Sequence, residues 1–91
     1  MKTLVTSADW PEVETELLNM SNIVRRTRPD IAIQARKVLG NIAKMVTEMS
    51  RVEVEIRARR VHTRKLEELA VSANETIEMV HQMMLMEILS S

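Results

Sequence analysis

Residues 30–56 read DIAIQARKVLGNIAKMVTEMSRVEVEI, and this stretch decides the fold. Ile31, Ala35, Val38, Ile42, Met45, Met49, Val52 and Ile56 recur at alternating steps of four and three, which lines them along one face of an α-helix. The same frame passes through Arg59 and Thr63 into Leu66, Ala70, Ala73, Ile77, Val80 and Met84. A loop is free to shift such a frame. Its persistence points to one unbroken helix over about 30–89, roughly 90 Å long at the usual rise per residue.

Three places offer an interruption. Gly40-Asn41 is a weak helix stop that the stripe crosses undisturbed. Residues 57–65 put only polar side chains, Arg59 and Thr63, on the stripe, and are the alternative site of a hairpin. Ser72-Ala73-Asn74-Glu75 has the form of a capping box, so a break at 71–73 would open a separate final helix. Arg59 and Thr63 stand where Ile or Leu would pack best, so the seam is expected to be interrupted there.

Upstream, Asp9-Trp10-Pro11-Glu12 predicts a helix start, with Asp9 as cap, Pro11 in the first turn and Glu12 closing the box. Trp10, Val13, Leu17, Met20 and Val24 form its apolar stripe. Arg25, Arg26 and Arg28 collect at its end, where the helix dipole favours cations, and Pro29 bars simple continuation. A first helix over about 10–27 follows, and Thr27-Arg28-Pro29-Asp30 is the next candidate box.

The composition agrees. Of 91 residues one is Gly, two are Pro and none is Phe or Tyr, while eight are Met. Turns and strands lack their usual residues, and helix formers abound. The expectation is a single all-α domain over 1–91: a short first helix, then one or two long helices packed as a coiled-coil-like hairpin or bundle. So small a chain buries only about 60–65% of its unfolded surface. With no Cys, disulfides and thiolate zinc sites are excluded, so self-association is the expected source of added stability. Residues 1–7 hold no apolar run of signal-peptide length, and no stretch nears the ~20 apolar residues of a membrane span. A cytoplasmic protein without a membrane partner is expected.

Net charge is zero, but the charges are sorted along the chain. Residues 1–24 carry one Lys against four carboxylates, residues 25–65 twelve Lys or Arg against four, and residues 66–91 five Glu and no cation. Arg57, Arg60, Arg64 and Lys65, with Arg59 and His62, form a dense basic cluster. One reading is a surface for duplex nucleic acid. A simpler one is pairing at four-residue spacing, Glu53 with Arg57, Glu55 with Arg59 and Arg64 with Glu68, at about 0.2–0.5 kcal/mol per pair. A third is assembly of basic middle against acidic ends. Single-strand binding lacks stacking platforms, since the one Trp lies in an acidic segment.

Residues 77–89 are apolar around most of the helix girth, broken by Glu78, His81, Gln82 and Glu87. Such a helix needs cover on more than one side. Met79, Met83, Met84, Met86 and Leu89 are therefore candidate partner-binding residues, since Met adapts to irregular grooves. A core or oligomer seam is the simpler use of the same side chains.

Catalytic chemistry is thin. Neither Cys nor Tyr is present, and the two His, at 62 and 81, are far apart. Glycine-rich phosphate loops are excluded by the single Gly. Glu78 and His81 make at most half a metal site. No catalytic residue, cofactor or metal is assigned. The sequence thus points to a non-enzymatic helical interaction protein that self-associates and docks a protein partner. That description covers adaptor, chaperone-like, regulatory or assembly factors of the kind phages and bacteria use. The alternative is a duplex nucleic-acid regulator acting through 57–65.

Overall fold

The chain enters its first helix through a 3-10 turn at Ser7–Asp9 rather than an extended cap. The computed structural model describes residues 7–59 and 63–90. Helix α1 spans Trp10–Val24 with Pro11 in its first turn. Asp9 already has helical backbone (φ −78°, ψ −20°) and makes no side-chain cap bond, so the expected box does not form there. An N-cap oxygen reaches the first turn's N–H groups from an extended backbone, and the 3-10 turn removes that geometry. Ser7 does the anchoring instead. Its amide and hydroxyl donate to the Glu53 carboxylate at 3.2 and 3.0 Å, tying the chain's beginning to the far part of the second helix.

Helix α1 stops at Val24, three residues short of the expected end. The Arg25 and Arg28 amides still donate to Ser21 and Val24 carbonyls, closing a tight turn. Arg28 then takes φ −136° and ψ 79°, outside the helical region as a residue before proline must be. Helix α2 runs Pro29–Arg57 and passes through Gly40 without a break. The box expected at Thr27–Asp30 is absent, since Arg28 is the cap residue and no side chain caps it.

The frame that reads as one long helix is cut after Arg57. Amides of Ala58 and Arg59 fold back to the carbonyls of Val54 and Ile56, and Arg59 sits at φ 59°. That left-handed position closes a helix and usually belongs to Gly. Helix α3, Thr63–Ser90, then returns along α2, and the Ser72–Glu75 box lies unused inside it. The chain thus takes the hairpin alternative. The polar stripe residues Arg59 and Thr63 fall at the turn and at the first residue of α3, where no seam runs through them.

Among the described residues the structure is all-helical, a three-helix bundle about 50 × 17 × 16 Å. Its core joins Trp10, Val13, Leu17 and Val24 of α1 to Ala35, Leu39, Ile42, Val46 and Met49 of α2 and Ala73, Ile77, Val80 and Met84 of α3. In α2 the stripe residues Ala35, Ile42, Met49 and Val52 are fully buried, Ala32, Leu39 and Val46 beside them are buried, and Ile31, Val38 and Met45 are half-buried. The eight-residue stripe thus runs through the middle of a wider apolar face. No helix among the described residues is long and apolar enough to cross a membrane.

Candidate docking surfaces

Helix α2 has two flanks, and α1 covers one. Arg36 marks that flank, donating from Nη2 to Asn22 Oδ1 at 2.7 Å and from Nε to Ser21 Oγ at 3.4 Å. Ala32, Leu39 and Ala43 share this side at helical spacing, and the two small Ala side chains leave room for α1 beside Leu39. On α3, the α1 side is marked by His81, which lines an open groove with Glu16, Asn19 and Met20.

The opposite flank faces α3 and then solvent. Advancing about 100° per residue from the core line places Ile31, Val38 and Met45 of α2 on it, and Met79 and Met83 of α3 beside them. Arg28 Nη1 lies 3.9 Å from Glu87 Oε2, which marks the antiparallel register of the two helices. Nothing among the described residues covers this side as α1 covers the other.

The five tail residues are divided by this geometry. Met84 is 0% exposed and belongs to the core, so it is no part of an outward surface. Met83 is half-buried against the core. Met79 and Met86 are 60% and 61% exposed, and Leu89 is 75% exposed near the helix end. Val38 and Met45 join the outward set. Their spacing places them on the seam, and the signal that distinguishes them is that the apolar face of α2 is wider than one neighbouring helix requires.

The basic residues are also divided. Arg57 and Lys65 are exposed at the hairpin end, with Arg57 Nε donating to the Glu53 carbonyl at 3.5 Å. Arg64 Nε lies 3.4 Å from Glu68 Oε1, both largely exposed, which is the expected four-residue pair. Glu53 instead gives its carboxylate to Ser7, and Arg59 has left the helix before reaching a position above Glu55. Arg60 and His62 lie outside the described residues. Arg25, Arg26 and Arg28 are exposed at the other end of α2, roughly 40 Å away. What reads as one basic middle is a basic cluster at each end of α2, with Arg36, Lys37, Lys44 and Arg51 spread along the helix between them.

Two surface pairs tune local charge. The Arg28 guanidinium, hydrogen-bonded to Asp30 at 3.0 Å, holds that carboxyl below its ordinary value. Arg51 does the same to Glu48, Nε standing 3.1 Å from both oxygens, with a smaller contribution from Lys65. Both guanidiniums are raised in turn. Among the described residues, no three His, Asp or Glu side chains converge as a metal site would need. No family model matches the chain, and neither a curated protein nor a solved structure does.

Proposed function

We propose that this chain acts by binding protein, as a non-enzymatic helical interaction module whose docking surface is the open flank of the α2–α3 hairpin. One observation carries the reading. On the side away from α1 the hairpin carries exposed Met79 beside Val38, Met45 and Met83, which are packed against the core and covered only in part. Flexible Met side chains at the outer positions suit a surface that adapts to a helix laid along it. Self-association in a coiled-coil-like manner, with α2 and α3 presenting this seam, belongs to the same proposal.

Duplex binding through 57–65 has less support. Arg57, Arg64 and Lys65 occupy one end of the rod and the Arg25–Arg28 cluster the other, and along α2 between them Lys37, Lys44 and Arg51 alternate with Asp30, Glu48 and Glu55 at the same helical rotation.

A photo-crosslinker placed at position 79 or 83 of the full chain, in extract of the native cells, tests the proposal. Discrete adducts are expected from these sites and not from Thr15 on the exposed side of α1. Equal adducts from all three, or none from 79 and 83, would contradict it.

A further inference from the structure

The buried residues of α2 and α3 share one frame across the turn that separates them. Ala35, Ile42, Met49 and Val52 are buried in α2, and Ala73, Ile77, Val80 and Met84 in α3. The intervals from Met49 to Ile77 and from Val52 to Ala73 are whole multiples of seven. A turn leaves each helix free to choose its inward face, so a hairpin does not require this. A single supercoiled helix does, since a repeat of seven keeps one stripe on one side.

The turn points the same way. Residues 57–65 contain no Gly, Pro or Asn, and so none of the usual helix stops. Closing the hairpin instead holds Arg59 at φ 59°, a conformation that is costly for a residue with a Cβ. It also takes Arg59 away from Glu55, four residues back, where a continuous helix pairs them.

We propose that this hairpin is the closed form of a domain-swapping pair. In the open form α2 and α3 join into one helix, and a second copy of the chain supplies its partner. Two open chains lie antiparallel, and α2 of each takes the α3 of the other in the contacts now made within one chain. Arg28 beside Glu87 sets the level, so the two-fold axis crosses the helices near residues 57 and 58. Helix α1 stays on its own α2 through Ser7 to Glu53 and Arg36 to Asn22. The buried contacts are the same in both forms. The open form relieves Arg59 in both copies, and the closed form avoids the entropy cost of association. The crossing brings Arg57 and Arg59 of both copies beside Glu53 and Glu55 of both, so charge there does not exclude it. The flank carrying Met79 is exposed alike in the two forms.

Refolding the full chain from denaturant at micromolar and at millimolar concentration is the test, read by light scattering and small-angle X-ray scattering. Dilute refolding is expected to give a single chain of 10.5 kDa, about 50 Å long. Concentrated refolding should add a species of two chains, roughly 90 Å long, as residues 29–90 span at about 1.5 Å each in one helix. Arg59→Gly should lower the share of that species at least about threefold, because Gly closes the turn without strain. Removing residues 58–64, one whole repeat, forbids the hairpin but keeps the frame. That variant should form the long dimer alone, with helix content preserved in circular dichroism. Removing residues 58–62 breaks the frame and should not. A wild type that stays a single chain after concentrated refolding would overturn the inference. So would equal dimers from both deletions, since the shared frame would then mean nothing. Wild-type dimers only as long as one chain would also overturn it, and would point to side-by-side pairing through the open flank.

Discussion

The two flanks of the α2–α3 hairpin are built from the same kind of helix and meet different fates. On the covered flank, small residues (Ala32, Ala43 and Ala70) bring α1 into contact, and Val13, Leu17 and Val24 are buried against the hairpin. On the open flank, longer side chains stand half-covered or exposed, among them Val38, Met45, Met79 and Met83. Small residues set a fixed distance between backbones, whereas Met fills whatever space it is given. One flank is packed by α1, and the other is the one proposed above as a docking surface.

That contrast is most easily broken from the covered side. Leu17→Ala is expected to cost about 2–5 kcal/mol in denaturant unfolding, since its side chain is fully buried and the cavity cannot collapse freely. Met83→Ala should cost less than Leu17→Ala in the isolated monomer, because Met83 is covered only in part whereas Leu17 is fully buried. Comparable losses at dilute concentration would mean that the two flanks are equally covered within one chain.

The next effect concerns how α1 is held in place. Glu53→Ala removes the acceptor of both Ser7 bonds and should destabilise by roughly 1–2 kcal/mol. Its signature is faster hydrogen exchange at the start of α1 with little change in α3. Uniform loosening of all three helices would show instead that Ser7 and Glu53 do not govern α1 locally.

Backbone changes sharpen the comparison in the stabilising direction. A Cβ at Gly40 meets nothing within 4 Å, so Gly40→Ala should add about 0.5–1 kcal/mol. Arg59→Gly should add about 1 kcal/mol by relieving the left-handed residue, whereas Arg59→Leu should add nothing. A gain on Arg59→Leu in thermal melts would restore the continuous seam that the sequence suggests.

The smallest effect is electrostatic. Asp30 and Glu48 have folded-state values below their unfolded ones, so their contribution is present above the ordinary carboxylate range. It is lost as pH falls through the depressed folded-state values. Both groups are exposed, so the loss should be shallow and further reduced by salt. Acid melts of Asp30→Asn and Glu48→Gln check this. Each variant should flatten the acid limb slightly, and a steeper limb would contradict the assignment.

Much of this fold is legible in the sequence. Pro11 and Pro29 mark the first turns of α1 and α2 as expected, and the three- and four-residue spacing gives the helices themselves. The interruption at Arg59 and Thr63 is legible too, as polar residues on an apolar frame. What it means is not, because a turn closed by Arg rather than Gly leaves no local mark. The capping boxes mislead for a related reason. Asp9 and Thr27 have suitable neighbours, but the backbone before each helix takes another path.

The candidate surface is harder to read. Met83, Met84 and Met86 are alike in sequence, yet about 100° of rotation per residue sends only Met84 into the core. Which of them faces inward depends on where α1 folds back, and that rests on long-range contacts such as Ser7 with Glu53. The basic middle likewise resolves into a cluster at each end of α2, with cations spread between, only once the hairpin is closed.

The methionines themselves offer the most direct measurement: residue-resolved oxidation by peroxide at rising protein concentration. In dilute solution Met79 and Met86 should oxidise fast, and Met49 and Met84 slowly, following their exposure. As the chain is concentrated, Met79, Met83 and Met45 should become protected while Met20, on the α1 side, keeps its rate. Unchanged rates at every concentration, or protection of Met20 in place of Met79, would show that the open flank is not where this chain meets a second copy of itself.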